Sequence, residues 1–325
     1  MHPALSVIFL TTLIGAGQGL FLALYSGQIY STFKLLPEQD PVQFYAVGSL
    51  IALVLLVAGL VSSFFHLGRP ERAWRAAAMW RTSWLSREVI VLPAFMASVF
   101  VWGLIHYSGW NPVLTTFNQS TVIDLSLLVG AVATLLCFTL FLCTGMIYAC
   151  IKMLQEWATP LTVINYTLLG GASGFLLATA FAAWSGSGIT NFFAGWSVIL
   201  TVLALVTRSA SLYRNARLKP KSTIETAIGI RHANIEQKAQ GAMTGSFNTR
   251  EYFHGASERK YKSVKWIFLF MVFPLPLALL SLGLGAHILS LLVAAFVTQY
   301  IGLLLERWFF FAQANHPQNL YYQTV

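Results

Sequence analysis

The amino-acid sequence predicts an all-α integral membrane protein, a single membrane domain of eight transmembrane helices covering residues 1–325. The composition is the first observation, because 57% of the residues are hydrophobic and only 10% are charged. A soluble fold of this length could not keep so many apolar side chains off its surface. The positive mean hydropathy of +0.67 also indicates a membrane protein. Long apolar runs also recur along the whole chain.

Eight of these runs reach the roughly 20 residues that a helix needs to cross a bilayer. They cover about residues 4–30, 43–66, 88–107, 121–150, 161–184, 191–211, 264–285 and 287–311. Each run is continuously apolar, whereas strands of a membrane barrel alternate apolar and polar residues. We therefore expect helices. The first run lacks a basic start and is long enough to span, so we expect it to be retained rather than cleaved.

Small residues within the runs predict close contacts between helices. The first run contains Gly15-Ala-Gly-Gln-Gly19, and the fifth contains Gly170-Gly-Ala-Ser-Gly174. Gln18 is a polar residue inside a span, for which we favour a hydrogen bond to a neighbouring helix over contact with a ligand. Pro274-Leu-Pro276 predicts a kink in the seventh span.

The positions of Lys and Arg predict the orientation of the bundle. With eight spans, both termini lie on one side of the membrane, and 19 of the 20 Lys and Arg residues fall on that side. Lys34 alone falls on the other. Because short cytoplasmic loops are enriched in Lys and Arg, we expect both termini and the loop at about 212–263 to be cytoplasmic.

The second loop carries the densest group of polar residues near an apolar run. Its sequence is Phe65-His-Leu-Gly-Arg-Pro-Glu-Arg-Ala-Trp-Arg75, and Ser86-Arg-Glu88 follows. Ionisable residues at a membrane boundary are candidates for function. An imidazole such as His66 exchanges protons near neutral pH. Glu88 opens the third span, where the helix dipole favours a carboxylate for purely structural reasons.

The sixth loop combines charge with aromatic residues. Arg250, Tyr252, Phe253 and His254 follow one another closely in the sequence Asn248-Thr-Arg-Glu-Tyr-Phe-His254. Aromatic and arginine side chains supply much of the energy of protein interfaces, so we predict a docking surface. A solvated linker is the alternative.

Other polar residues argue against several functions. Cys137, Cys143 and Cys150 have no zinc spacing, and we expect them to be packing residues. His106 and His287 are the alternative ligands for a heme, but neither lies deep in a span. Acidic residues are scarce within the runs, which disfavours a proton pump or a secondary transporter.

These motifs together resemble a known family. The opening His2-Pro-Ala-Leu-Ser6, the Gly15–Gly19 element, His66-Leu-Gly-Arg-Pro-Glu-Arg-Ala73, Ser86-Arg-Glu88 and Asn248-Thr-Arg-Glu251 occur in order over the whole chain. Their order and spacing resemble the DmsC-type membrane anchors of the dimethyl sulfoxide reductase family. The resemblance implies a heme-free subunit in a bacterial inner membrane that exchanges electrons with membrane quinone.

The resemblance also implies partners. These are an iron–sulfur subunit with four clusters and a molybdopterin catalytic subunit, with membrane lipid around the anchor and no nucleic acid. The cytoplasmic charge bias resembles the branch that serves cytoplasmic sulfite dehydrogenases. A reductase anchor that oxidises menaquinol, a transporter and a passive anchor remain alternatives.

The resemblance assigns roles to individual residues. It implies quinone binding or proton transfer for His66 and Glu88. We extend this expectation to Arg72, Arg75, Arg87, Gln18 and Trp74. Partner docking is expected for Arg69, Arg81, Arg250, Tyr252, Phe253 and His254. For the arginines, contact with lipid headgroups is an equal alternative, and Trp74 also fits an interfacial aromatic belt.

Overall fold

The structure of the protein is a computed structural model that describes residues 4–117, 121–219, 223–235 and 258–314. Within these ranges, eight helices are long and apolar enough to cross a membrane. The prediction of eight spans is therefore confirmed. The spanning helices are α1 (Leu5–Thr32), α2 (Val47–Phe64), α3 (Trp84–Ser108), α4 (Leu125–Ala149), α5 (Pro160–Trp184), α6 (Thr190–Asn215), the pair α8 (Glu258–Val272) and α9 (Pro274–Ala286), and α10 (Leu289–Gln313).

Helix α1 lies at the centre of the bundle and packs against α2, α4, α5 and α10. Its contact with α5 is made through glycines, as the sequence predicts. A Cβ at Gly19 would overlap the carbonyl of Gly170, and a Cβ at Gly174 would overlap the backbone of Gly19. The two backbones therefore approach as closely as only glycine permits.

Helix α2 has a non-α helical stretch on either side. Before it, residues Pro41–Ala46 form a π-helical stretch that leads directly into α2, and Asp40 accepts a hydrogen bond from the Gln43 backbone amide at the start of this stretch. After α2, residues Pro70–Met79 form a 3₁₀ helix, and α3 begins at Trp84. The prediction that the third span starts at residue 88 is thus one turn late.

The structure differs from the predicted all-α fold by one β-hairpin in the described residues. Strands β1 (Val113–Phe117) and β2 (Thr121–Asp124) pair antiparallel between α3 and α4. The sequence analysis assigned residues 121–124 to the fourth span, which is wrong because this β-branched stretch is extended. Helix α4 instead begins after Asp124, whose carboxylate caps the Leu127 backbone amide at 2.9 Å.

The seventh span is broken, as its two prolines predict. Helix α8 ends at Val272 and α9 begins at Pro274, with Phe273 between them. Gln299 of α10 donates a hydrogen bond of 3.1 Å to the Val272 carbonyl. That carbonyl loses a helical partner at the break, so the glutamine satisfies it inside the membrane.

The sixth loop is shorter than the sequence predicts. Helix α6 continues to Asn215, and a short helix α7 (Ile224–Ile228) follows. Arg208, near the end of the sixth predicted span, is a buried residue of α6. The predicted docking residues Arg250, Tyr252, Phe253 and His254 lie outside the described ranges.

The bundle has two different ends. We call one the basic end; it comprises residues 65–83, residues 150–159 and the adjoining ends of α6, α8 and α10. The opposite end carries the hairpin and residues 33–40. Cys137 and Cys143 are buried as expected, whereas Cys150 at the basic end is exposed.

Tight packing at the glycine contact leads to a prediction for stability. We expect Gly174→Ala to lower the midpoint of thermal unfolding in detergent, because overpacking typically costs about 1–3 kcal/mol. Gly195→Ala on α6 is the matched control, since a Cβ at Gly195 meets nothing within 4 Å. Equal midpoints for the two variants would contradict the close contact between α1 and α5.

Candidate functional site

The structure separates the predicted site residues into two groups at the basic end. One group lies on the exposed segment 65–83, and it contains His66, Arg69, Arg72, Trp74, Arg75 and Arg81. The other group, Gln18 and Glu88, lines a cavity inside the bundle. Arg87 lies between the two groups.

The exposed segment presents aromatic and basic side chains rather than burying them. None of the residues in Pro70–Met79 is buried. Trp74 is 71% exposed and Phe65 is 82% exposed. Met79 and Trp80 are also exposed. Apolar side chains grouped on a surface segment of this kind indicate contact with a partner or with lipid.

The arginines of this segment lie beside its tryptophans. The Arg75 guanidinium is 5.6 Å from the Trp74 ring centre, and that of Arg81 is 5.3 Å from the Trp80 ring centre. Arg72 pairs with Glu71 at 3.8 Å, and both side chains are exposed. Exposed pairs of this kind contribute about 1 kcal/mol or less. The segment therefore presents positive charge and aromatic surface together.

Arg87 joins this segment to helix α3. Its Nε donates to the Trp80 carbonyl at 2.9 Å, and its Nη2 donates to the Arg81 carbonyl at 2.8 Å. Its guanidinium also lies 4.2 Å from the Trp84 ring centre. Arg87 thus holds the end of the 3₁₀ segment against the beginning of α3, close to Glu88 in sequence.

His66 follows α2 in a turn and is exposed. Its backbone amide donates to the Ser63 carbonyl at 3.4 Å. Desolvation by neighbouring atoms lowers the pKa of the imidazole below its ordinary value. His66 is therefore neutral at pH 7, with one ring nitrogen as donor and the other as acceptor. Among the described residues, no hydrogen bond joins His66 to Glu88.

Glu88 lies in the second turn of α3 and is partly exposed. Its Oε1 accepts a short hydrogen bond from the Thr144 hydroxyl of α4. Gln18 lines the same cavity, and its Nε2 donates to the Cys137 carbonyl at 2.9 Å. The hydrogen bond between helices that the sequence suggests for Gln18 is therefore present.

The cavity has a volume of about 20 Å³, enough for about one water molecule. Besides Gln18 and Glu88, its lining has six polar residues that the sequence did not propose for the site: Thr11, Thr12, Thr144, Tyr166, Ser173 and Arg307. Thr144 gave no signal, because a threonine in an apolar helix is ordinary. Arg307 did give one, since a charge near the end of an apolar run is uncommon.

Arg307 belongs to a buried network of charges. Its Nε lies 3.4 Å from Glu306, and the other Glu306 oxygen lies 2.7 Å from the Nε of Arg208. These residues lie within two turns of the ends of their helices, yet Arg208 is only 1% exposed and Arg307 only 4%. The Arg307 guanidinium stacks 3.6 Å from the Tyr166 ring centre. Ion pairing offsets the cost of burying these charges.

A quinone ring does not fit in this cavity, because the space holds only about one water molecule. The donor set at the basic end does fit the chemistry of a quinone, which presents two carbonyl oxygens. His66 carries an N–H donor, Glu88 carries a carboxyl that exchanges protons, and arginines lie close by. A ring contacting both residues would therefore have to lie outside the cavity, against residues 65–83.

A larger groove lies at the other end of the bundle. It has a volume of about 290 Å³ and lies between α2 and α3, where Leu50, Leu53, Phe100 and Leu104 line it. Of the predicted site residues that the structure describes, none lines this groove. Elsewhere at this end, His106 is buried against the rings of Tyr45 and Trp102.

Comparison with known proteins gives matches that cover nearly the whole chain. Residues 1–313 match the family described as the DMSO reductase anchor subunit (DmsC). The chain is also 58% identical to the C subunit of sulfite dehydrogenase from Allochromatium vinosum, over 325 residues and the full length of both chains. Together with the spanning helices, these matches identify the membrane anchor of an oxidoreductase. The chain belongs to the DMSO reductase anchor subunit (DmsC) family.

Proposed function

We propose that this subunit passes electrons between an iron–sulfur partner and membrane quinone, in a molybdenum enzyme that oxidises sulfite. The observation that carries the proposal is the connection made by Arg87. It links an exposed segment suited to docking with the helix that bears Glu88. The similarity to a sulfite dehydrogenase subunit supports sulfite as the substrate of the complex. Sulfite itself is oxidised in the molybdopterin partner.

His66 and Glu88 hold the quinone at the basic end. A quinone takes up two electrons and two protons when it is reduced, so its site needs hydrogen-bond donors and a route for protons. Neutral His66 donates its ring N–H to one carbonyl oxygen. Glu88 exchanges a proton at its carboxyl. Arg72 and Arg75 supply positive charge around the headgroup, and Trp74 covers it.

The segment 65–83 also receives the iron–sulfur subunit. Arg69, Arg81 and the exposed tryptophans form a surface of the composition that interfaces prefer. Arg250, Tyr252, Phe253 and His254, which lie outside the described residues, also bind this partner in the proposal. The iron–sulfur clusters and molybdopterin belong to the partner subunits, and we expect no heme in the anchor itself.

The basic end faces the cytoplasm in this proposal, with both termini on the same side of the bacterial inner membrane. Nineteen of the 20 Lys and Arg residues support this orientation. The soluble partners then dock in the cytoplasm, where cytoplasmic sulfite is available to them.

Substitution of the two quinone-site residues tests the central claim. In the assembled complex, we expect His66→Ala or Glu88→Gln to lower sulfite-dependent reduction of a soluble ubiquinone analogue by about 100-fold, the lower range for proton-transfer groups. Sulfite-dependent reduction of ferricyanide, which bypasses the anchor, should not change. His287→Asn at the opposite end is the control. Wild-type quinone turnover in both variants would indicate a passive anchor.

Substitution of Trp74 tests the docking surface. We expect Trp74→Ala to weaken binding of the iron–sulfur subunit by about 30-fold, which corresponds to the ~2 kcal/mol of an interface hot spot. Co-purification in mild detergent and native gel electrophoresis measure this loss. Trp110→Ala is the matched control, because Trp110 is 68% exposed at the opposite end. Equal recovery of partner from both variants would move the docking surface elsewhere.

Labelling of single cysteines tests the orientation. In a Cys150→Ser background, which removes the exposed native thiol, Arg81→Cys and Trp110→Cys place a thiol at each end. We expect an impermeant maleimide to label position 110 in spheroplasts and position 81 only in inside-out vesicles. The reverse pattern would place the basic end in the periplasm.

A further inference from the structure

The cavity beside Glu88 is distinct from the surface on which we place the quinone. Its volume of about 20 Å³ suits water rather than a ring. Most of its lining surface is apolar, but polar side chains reach it from five helices: Thr11, Thr12 and Gln18 of α1, Glu88 of α3, Thr144 of α4, Tyr166 and Ser173 of α5, and Arg307 of α10. A water molecule placed there would find the several polar partners that buried water requires.

We propose that this cavity is the proton-exchange chamber of the subunit, in which Thr144 positions the Glu88 carboxyl and Arg307 controls its charge. The inference rests on the proposed function, in which Glu88 serves the quinone. It adds a route for protons and two positioning residues. Thr144 and Arg307 act through Glu88 and not on the quinone.

Thr144 is placed to orient the carboxyl. Its hydroxyl donates to Oε1 of Glu88, so one carboxyl oxygen is held by α4. A carboxyl with one oxygen fixed presents the other in a defined direction. Other threonines of α4 differ, since Thr134 and Thr139 donate to carbonyls of their own helix. The contact between Thr144 and Glu88 is therefore specific to the cavity.

Arg307 gives the cavity a fixed positive charge. Glu306 pairs with both Arg307 and Arg208, so the three buried groups carry a net charge of +1. Ionised Glu88 makes the sum of the four groups zero, and protonated Glu88 returns it to +1. Because buried charge is costly unless it is balanced, losing the Arg307 charge would make an ionised Glu88 more costly to bury.

The titratable and charged groups around Glu88 are few in the part of the chain that the structure describes. They are Cys143 and Tyr148 of α4, Tyr166 of α5, Arg307 of α10, and Arg87 on α3 itself. Helix α2 carries no titratable residue between Val47 and Phe64. Arg307 lies on the tyrosine side of the cavity, stacked on Tyr166.

Protons and electrons balance in the proposed step. Reduction of one quinone to its quinol consumes two electrons, which the partner's iron–sulfur clusters supply one at a time, and two protons. Each proton leaves the Glu88 carboxyl for a quinone oxygen, and the carboxylate takes another from cavity water. That water takes its proton back from the aqueous phase at the basic end. Quinol oxidation reverses every transfer.

Substitutions of Thr144 in the assembled complex test the positioning role. We expect Thr144→Val to lower quinone-linked sulfite oxidation by about tenfold, a part of the ~100-fold or more that a proton-transfer group supplies. Thr144→Ser keeps the hydroxyl and should restore turnover. Thr139→Val is the matched control, because Thr139 is exposed on the same helix. Ferricyanide reduction should be unchanged in all three variants.

The pH profile of quinone-linked turnover separates charge control from a structural role. Removing a nearby cation makes a carboxylate bind its proton at higher pH. We therefore expect Arg307→Gln to move the pH of half-maximal turnover upward by about one unit, as a lost charge partner does. Arg307→Lys, which keeps the charge, should leave the profile in place. A rate loss without a shift would contradict charge control.

The outcomes distinguish this inference from the proposed function. If Glu88→Gln abolishes quinone turnover while Thr144→Val and Arg307→Gln behave as wild type, the chamber is wrong and the quinone site stands. If Glu88→Gln itself retains turnover, the quinone site is wrong. If the Arg307→Gln variant does not assemble into the complex, Thr144→Val still tests the chamber, because valine has nearly the same shape as threonine.

Discussion

The glycine contact between α1 and α5 is the constraint on which the rest of the bundle depends. Two helix backbones meet there with no side chain between Gly19 and Gly174. The same two helices supply Gly15, Gln18, Gly170 and Tyr166 to the wall of the cavity beside Glu88. Any widening of the contact would separate these residues. Packing in the middle of the membrane therefore determines the geometry of the polar cavity towards its basic end.

Charge inside the bundle is concentrated at that same end. Arg208, Glu306 and Arg307 are almost fully buried, and each is an expensive residue to place within a membrane. Their mutual pairing, the stacking of Arg307 on Tyr166 and the contact of Arg208 with Phe268 at 5.6 Å reduce that cost. The three paired groups together carry a net charge of +1. Arg307 and Glu88 line the same cavity. Arg307 therefore takes part both in the buried charge network and in the proposed proton transfer.

The two groups of site residues have different physical roles in the proposed function. Residues 65–83 carry exposed tryptophans and arginines, which suit recognition of a soluble subunit and of a quinone headgroup. The cavity is small and receives polar side chains from five helices, which suits water and protons. Arg87 connects them by two hydrogen bonds to backbone carbonyls. Arg87 therefore fixes the end of the segment to the part of α3 that bears Glu88.

The sequence by itself determined the class of fold, the number of spans and the family, and it made His66 and Glu88 candidates for the site. Hydropathy and motif order are local properties that are visible directly in the chain. Only the tertiary structure placed Thr144, Tyr166 and Arg307 around the cavity that Glu88 lines, because these residues come from helices far apart in sequence. It also showed that Arg208 is buried in the interior and that residues 121–124 form a strand. Pairings of this kind depend on how helices pack, and no single stretch of sequence records them.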